Sequence, residues 1–307
     1  VKKRHSSIVF LRLFNIVDLI TIAYLLITGI FIAFHYSVLH DFGSHLLARL
    51  GFIFLLGFIL YVQSRSKRKW IELLHWIFPL LLLTYLFKET AYLNHLFFHY
   101  YLDGWIVKAE ERLWGYLPAV VFSKNFPEVW FSELMNFGYF SYYFMTIGVA
   151  LLFFFKYPRE MERVTFIVLI SFFIYYLFYI FFPTEGPVYF LQAPLNERLH
   201  SGVFSYLVNL ADRVGDGHTG AFPSSHVGMA VIFVILTYKK FPKLFWLVTF
   251  LGVLICFATV YIKAHYFLDV VGGLLSAPLL YISSNMLYNK VFIKTHTFVF
   301  SFSNKFL

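Results

Sequence analysis

His265 and Asp269 stand four residues apart, a spacing that puts both side chains on one face of a helix. An aspartate so placed accepts the Nδ1 proton of the imidazole, fixes its tautomer and leaves Nε2 free and more basic. That is the orienting logic of a catalytic triad. The same spacing also serves a membrane histidine that merely bonds its neighbour to avoid an unsatisfied polar group. Earlier in the chain, Pro223-Ser224-Ser225-His226 opens another apolar run. Proline suits the first turn of a helix, and Ser224 and Ser225 would present hydroxyls beside free backbone N–H groups. A helix start of this kind binds anions, and His226 beside it is placed to give a proton to a leaving oxygen. Lys263 adds a positive charge two residues before His265. Gly272 and Gly273, one turn after Asp269, allow close helix approach. Read together, these residues describe an anion held between two imidazoles.

That reading needs elements that return both stretches to one place. The chain of 307 residues is 60% hydrophobic, 22% aromatic and 13% charged, with a mean hydropathy of +0.72. Soluble domains carry about 25% charged residues, and a soluble fold of this composition would expose too much apolar surface. Repeated apolar runs of about 20 residues predict an all-α, polytopic transmembrane bundle. About eight spans are expected, near 15–34, 46–62, 71–87, 131–155, 164–182, 224–238, 244–261 and 265–288. The first has the basic flank of a signal sequence, Lys2-Lys3-Arg4, but no small-residue cleavage site after it, and reads as an anchor. Cys256 is the single cysteine and excludes an intrachain disulfide framework.

Lysine and arginine bias sets the expected orientation. With both termini cytoplasmic, 17 of the 25 basic residues fall on the inner side, including Arg65-Ser66-Lys67-Arg68-Lys69, Arg159, Arg163, Lys239, Lys240 and Lys243. The formal charge of +9 therefore reflects loop asymmetry and gives no reason to expect nucleic acid. The same parity brings His226 and His265 out on the extracytoplasmic side, with the two polar segments at 88–130 and 184–221. In the first segment, Asp103 would cap an amphipathic helix with Trp105, Ile106, Leu113 and Trp114 opposite Lys108, Glu110, Glu111 and Arg112. The second offers Arg198, Arg213 and His218 as residues that fold in over an anion or stay on the loop. It also offers Glu185, beside Gly186, as a carboxylate that pairs with Lys263, helps deprotonate an acceptor hydroxyl or water, or stays solvated next to a turn. The histidines lack paired cysteines or the His-Glu-x-x-His spacing of zinc helices, so no metal or other cofactor is expected.

These motifs resemble the type 2 phosphatidic acid phosphatase superfamily, which also contains lipid head-group transferases and haloperoxidases. Pro223-Ser224-Ser225-His226 is similar to its Pro-Ser-Gly-His motif, and His265 to Asp269 to the end of its Ser-Arg-x5-His-x3-Asp motif. The resemblance implies that His265 is a nucleophile forming a phosphohistidine, Asp269 its orienting partner and His226 the general acid for the leaving alcohol. It implies a six-helix core over 71–290, preceded by two extra spans in 1–70 and followed by a loosely held basic tail, 291–307. Lys263, Ser224 and Ser225 would then bind the substrate phosphate, with Glu185, Gly186, Arg213 and His218 as further contacts.

The chain departs from the family pattern where phosphate is anchored. The third-motif arginine should fall six residues before the nucleophile, where Thr259 stands. The first basic motif is replaced by Pro183-Thr184-Glu185-Gly186-Pro187, which resembles the Pro-x-x-Gly-Pro variant of some bacterial members without its following arginine. A phosphomonoester carries close to two negative charges and a diester one, so a site with one cation, Lys263, suits a diester. The core His265-Tyr266-Phe267-Leu268-Asp269-Val270 resembles the sphingolipid head-group transferases, including inositol phosphorylceramide synthases. Two outcomes of one covalent mechanism are therefore expected. Water resolving the adduct makes a lipid phosphatase, and an alcohol resolving it makes a head-group transferase with an inositol head group or ceramide as acceptor. The partner in either case is a membrane lipid carrying a phosphate ester. The rival of another class is a lipid transporter or binding protein that kept the fold without the chemistry.

Overall fold

The computed structural model describes residues 14–66, 68–191, 202–215 and 219–303, with side chains left out at 212–215 and 292–303. The regular structure of the described residues is helical, with no strand among them. In chain order the helices are α1 (Ile16–Phe34), α2 (Phe42–Arg65), α3 (Lys69–Leu93), α4 (Asp103–Trp114), α5 (Pro118–Asn125) and α6 (Val129–Lys156). They continue with α7 (Met161–Phe181), the single turn α8 (Pro187–Phe190), α9 (Val203–Gly215), α10 (Ser225–Thr237), α11 (Pro242–Tyr261) and α12 (Phe267–Ser303).

Seven of these helices are long and apolar enough to cross a membrane: α1, α2, α3, α6, α7, α11 and α12. The span expected near 224–238 is instead the 13-residue helix α10. At 1.5 Å per residue it is about 20 Å long, against a hydrocarbon core of about 30 Å. The non-helical chain leading into it stays buried because its polar groups find protein partners. The Ala221 N–H donates to the Thr184 carbonyl, the Phe222 N–H to Thr184 Oγ1, and the Pro223 carbonyl accepts from the Tyr179 hydroxyl. Irregular backbone at membrane depth is tolerated on that condition. At the other end of the sequence, α12 runs on to Ser303 where a loose tail after Lys290 was expected, and 304–307 lie outside the described residues.

Two compact units emerge. Of the described residues, the first takes in 14–66, 68–81, 153–171 and 280–303. There Asn15 and Asp18 close a reciprocal capping box at the start of α1. Leu56, Ile59 and Leu60 of α2 pack with Phe78 of α3. Arg49 is buried in α2, where its guanidinium donates to the Leu25 and His45 carbonyls and to Thr28 Oγ1. A charge inside an apolar helix pair persists because carbonyls and a hydroxyl take its protons.

The second unit, 82–152 and 172–279, holds every residue of the candidate site that the structure describes. Its core on one side is Met135 and Tyr139 of α6 against Leu254, Ala258 and Tyr261 of α11. The α4 helix forms as expected, with Ile106 buried and Lys108, Glu111 and Arg112 exposed, but two of its acids and two of its apolar residues change places. Asp103, Ile106 and Glu110 are buried, while Trp105 and Leu113 are more than half exposed. Nor does Asp103 cap the helix: the cap position is Leu102, without a side-chain bond, and the Asp103 carboxylate serves another loop.

Candidate active site

Three loops converge on His265. One follows α7 and carries Thr184, Glu185 and Gly186. A second, 219–224, leads into α10, and the third, 262–266, joins α11 to α12. The first loop is bonded to both others, through the Thr184 contacts above and through the Val188 N–H, which donates to the Lys263 carbonyl. Gly186 has φ +87°, and a Cβ there would lie 2.6 Å from the Ala264 carbonyl oxygen. Only glycine fits that crossing.

His265 is fixed at two points. Its backbone N–H donates to the Thr259 carbonyl at 3.1 Å, and its ring Nδ1 lies 2.7 Å from the Ala221 carbonyl oxygen. A carbonyl oxygen only accepts, so Nδ1 carries the proton and Nε2 holds a lone pair. That Nε2 is 3.3 Å from His226 Nδ1, which in this arrangement is the donor. The two imidazoles expected from sequence to share one anion are thus brought into contact. Burial pushes the His265 imidazole down to about 4, against the upward pull of its bond to Ala221. The ring is neutral near pH 7.

Asp269 is near but is not the closest acceptor. Its Oδ2 lies 3.5 Å from Nδ1 and accepts the Tyr266 N–H at 2.8 Å, while its own N–H donates to the Tyr266 carbonyl. This is a reciprocal cap on the start of α12. The expected aspartate–imidazole bond is therefore shared out: a main-chain oxygen takes the Nδ1 proton, and the carboxylate stands beside it.

The start of α10 also differs from expectation. Pro223 precedes the cap rather than sitting in the first turn, and Ser224 is the N-cap. Two N–H groups expected to be free are committed, that of Ser225 to the Tyr179 oxygen at 3.1 Å and that of Val227 to Ser224 Oγ at 3.4 Å. Gly273 matches its expected role. A Cβ there would sit 2.5 Å from the Ser224 carbonyl oxygen, so glycine lets α12 touch α10 behind the histidines.

Sequence reasoning missed several residues that shape the site. Tyr139 stacks on the His226 ring with centroids 4.8 Å apart, and Tyr142 is tilted against it at 4.4 Å. Their spacing of three puts them on one face of α6, a weak signal in a chain with 22 tyrosines. Asp103 reaches from α4 to accept the N–H groups of Glu185 and Gly186 at 3.0 and 2.9 Å. Glu110, two turns on, accepts the Leu268 N–H at 2.9 Å, at the start of the helix that follows His265. Burial pushes both carboxyls above the ordinary carboxylate range despite these bonds. The buried Tyr266 hydroxyl is held far above its usual range, first by burial and then by the charges of Asp103 and Asp269.

Lys263 is buried and left-handed at φ +63°, a conformation that costs roughly 1 kcal/mol with a Cβ. The Arg213 side chain, His218 and Arg198 lie outside the described residues. Among the described residues no cluster of three or more His, Cys, Asp or Glu has the geometry to hold a metal ion.

Comparison with known proteins matches residues 104–283 to the family described as the PAP2 superfamily. A PA-phosphatase related-family protein of Dictyostelium discoideum is 27% identical over 108 residues, which is 34% of this chain. The match spans only 20% of that relative's length. No solved structure matches the chain significantly.

Proposed function

The chain belongs to the PAP2 superfamily, and from that membership and its membrane helices we propose a lipid phosphatase-type enzyme working through a covalent His265 adduct. The observation that carries the mechanism is the 3.3 Å approach of His265 Nε2 to His226 Nδ1, with the His265 proton held on the far nitrogen. In this reading the Nε2 lone pair attacks phosphorus, a P–N bond forms, and the P–O bond to the lipid alcohol breaks. His226 gives its proton to the departing oxygen. In the second half it takes a proton from the water that cleaves the P–N bond and releases phosphate. Lys263 and the hydroxyls of Ser224 and Ser225 hold the phosphoryl oxygens, and the reaction faces the extracytoplasmic side.

One observation favours a second reading, transfer to an alcohol. Lys263 lies buried two residues before His265, and one cation balances a singly charged diester better than a doubly charged monoester. A diester donor with an alcohol acceptor, a ceramide or an inositol head group, follows from that balance.

The test is to supply phosphatidate and a phospholipid diester, each phosphorus-labelled, to the purified protein in vesicles. Acid-labile label trapped on the wild type and absent in His265→Ala supports the adduct. Free phosphate as the sole product removes the transferase reading, and new phospholipid supports it. Full turnover in His265→Ala overturns both. Binding of either lipid without turnover would leave a transporter.

A further inference from the structure

The first unit contains a cavity of about 370 Å³ whose walls include Gln63, Glu72, His75, Trp76 and Glu162. All but Glu162 precede the stretch that matches the family. The cavity is organised by a buried pair. Asp18, fully buried and held by its capping box with Asn15, accepts His75 Nε2–H at 2.8 Å. That bond spends one ring nitrogen. The other, Nδ1, is buried and has no hydrogen-bond partner, in a side chain only 4% exposed. Gln63 Oε1, in the same wall, is likewise buried and unpartnered. The Trp76 ring lies nearly parallel to the His75 ring, 5.3 Å away.

The chemistry of these groups selects a ligand. Glu72 and Glu162 place two carboxylates in the wall and Asp18 a third behind it, and no lysine or arginine lines the cavity among the described residues. The nearby Arg163 guanidinium is taken by Asn285 and the Tyr281 hydroxyl. The wall thus carries two carboxylates, Glu72 and Glu162, the second of which also accepts the Tyr288 hydroxyl at 3.2 Å. Such a site fits a cation with several N–H donors, and an aromatic face adds a cation–π contact. A primary ammonium has three donors, whereas a trimethylammonium has none.

Position narrows the source. Gln63 is in the last turn of α2, Glu72 and His75 in the first two turns of α3, and Glu162 in the first turn of α7. These are helix ends next to basic loops, at the level where lipid head groups lie. We propose that this cavity binds a primary ammonium group, supplied by an aminophospholipid head group or by a small soluble amine of the same chemistry.

The test uses the full chain in detergent, titrated with phosphatidylethanolamine or phosphatidylcholine of identical acyl chains and read by native mass spectrometry. Free ethanolamine and choline form parallel arms, read by thermal unfolding. At least a tenfold preference for phosphatidylethanolamine, lost in Glu72→Gln, supports the site with a lipid as its ligand. A rise in unfolding midpoint with ethanolamine but not choline, absent in Glu72→Gln and without lipid preference, supports it with a soluble ligand. Glu72→Gln keeps the side-chain shape, and its unfolding without ligand checks the fold; Trp76→Leu serves as a second variant with the same expected loss. Equal binding of primary and trimethylated partners, or a preference that survives both variants, overturns the proposal.

Discussion

Asp103 accepts the Gly186 N–H at 2.9 Å, so helix α4 holds the loop that crosses against Ala264, the residue before His265. The carboxylate takes two adjacent N–H groups, those of Glu185 and Gly186. An amide in its place keeps one acceptor oxygen and turns its N–H₂ toward a donor. Asp103→Asn is therefore expected to lower kcat/KM about tenfold to a hundredfold and stability by about 1–3 kcal/mol, the cost of an orphaned buried donor. Steady-state kinetics with thermal unfolding measures both, and an unchanged KM with a fallen kcat would separate positioning from lost binding.

Asp269→Asn tests how the His265 tautomer is held. Where a carboxylate alone fixes the tautomer, an amide reverses it and activity falls about 10⁴-fold. Here the Ala221 carbonyl lies closer to Nδ1, 2.7 Å against 3.5 Å for the carboxylate. A loss below about a hundredfold is expected, and a 10⁴-fold loss would return the orienting role to Asp269.

Acidity gives a third measurement. Nucleophilic attack needs the neutral imidazole, and burial lowers His265 to about 4. Because folding depresses this group, protonation is deferred: the neutral form persists as pH falls through 6.5 and is lost only near 4. The acid limb of kcat/KM should therefore lie close to pH 4. A limb near 6.5 would mean a solvated ring. Stability linked to the same group is retained above 6.5 and declines as pH falls toward the folded value.

Gly273→Ala adds a methyl 2.5 Å from the Ser224 carbonyl oxygen, a backbone atom that cannot swing away. Overpacking of this kind costs about 1–3 kcal/mol. Thermal unfolding should show that loss, together with a fall in activity as α10 and its His226 are displaced.

The long apolar helices were legible, because apolar length is a local property of the chain. His226 and His265 were expected together, and their rings do meet. The inward turn of two α4 carboxylates was not legible. Amphipathic reasoning sends charges to water, yet Asp103 and Glu110 point inward because loop N–H groups await them. That pairing joins residues more than eighty positions apart for Asp103 and Gly186, and no local pattern announces it. The same reason hid the Ala221 carbonyl, since every residue has one and only tertiary placement selects it. Tyr179 escaped notice likewise, its hydroxyl filling N–H and carbonyl needs at the start of α10.

The brevity of α10 reaches beyond helix counting. If Thr237 marks one surface, the imidazole at the opposite end stands roughly 10 Å short of the other. In the proposed reaction a lipid phosphate, which rides at the water boundary, would have to sink, or the boundary dip to meet it. That descent drags less polar bulk into hydrocarbon when the head group is small.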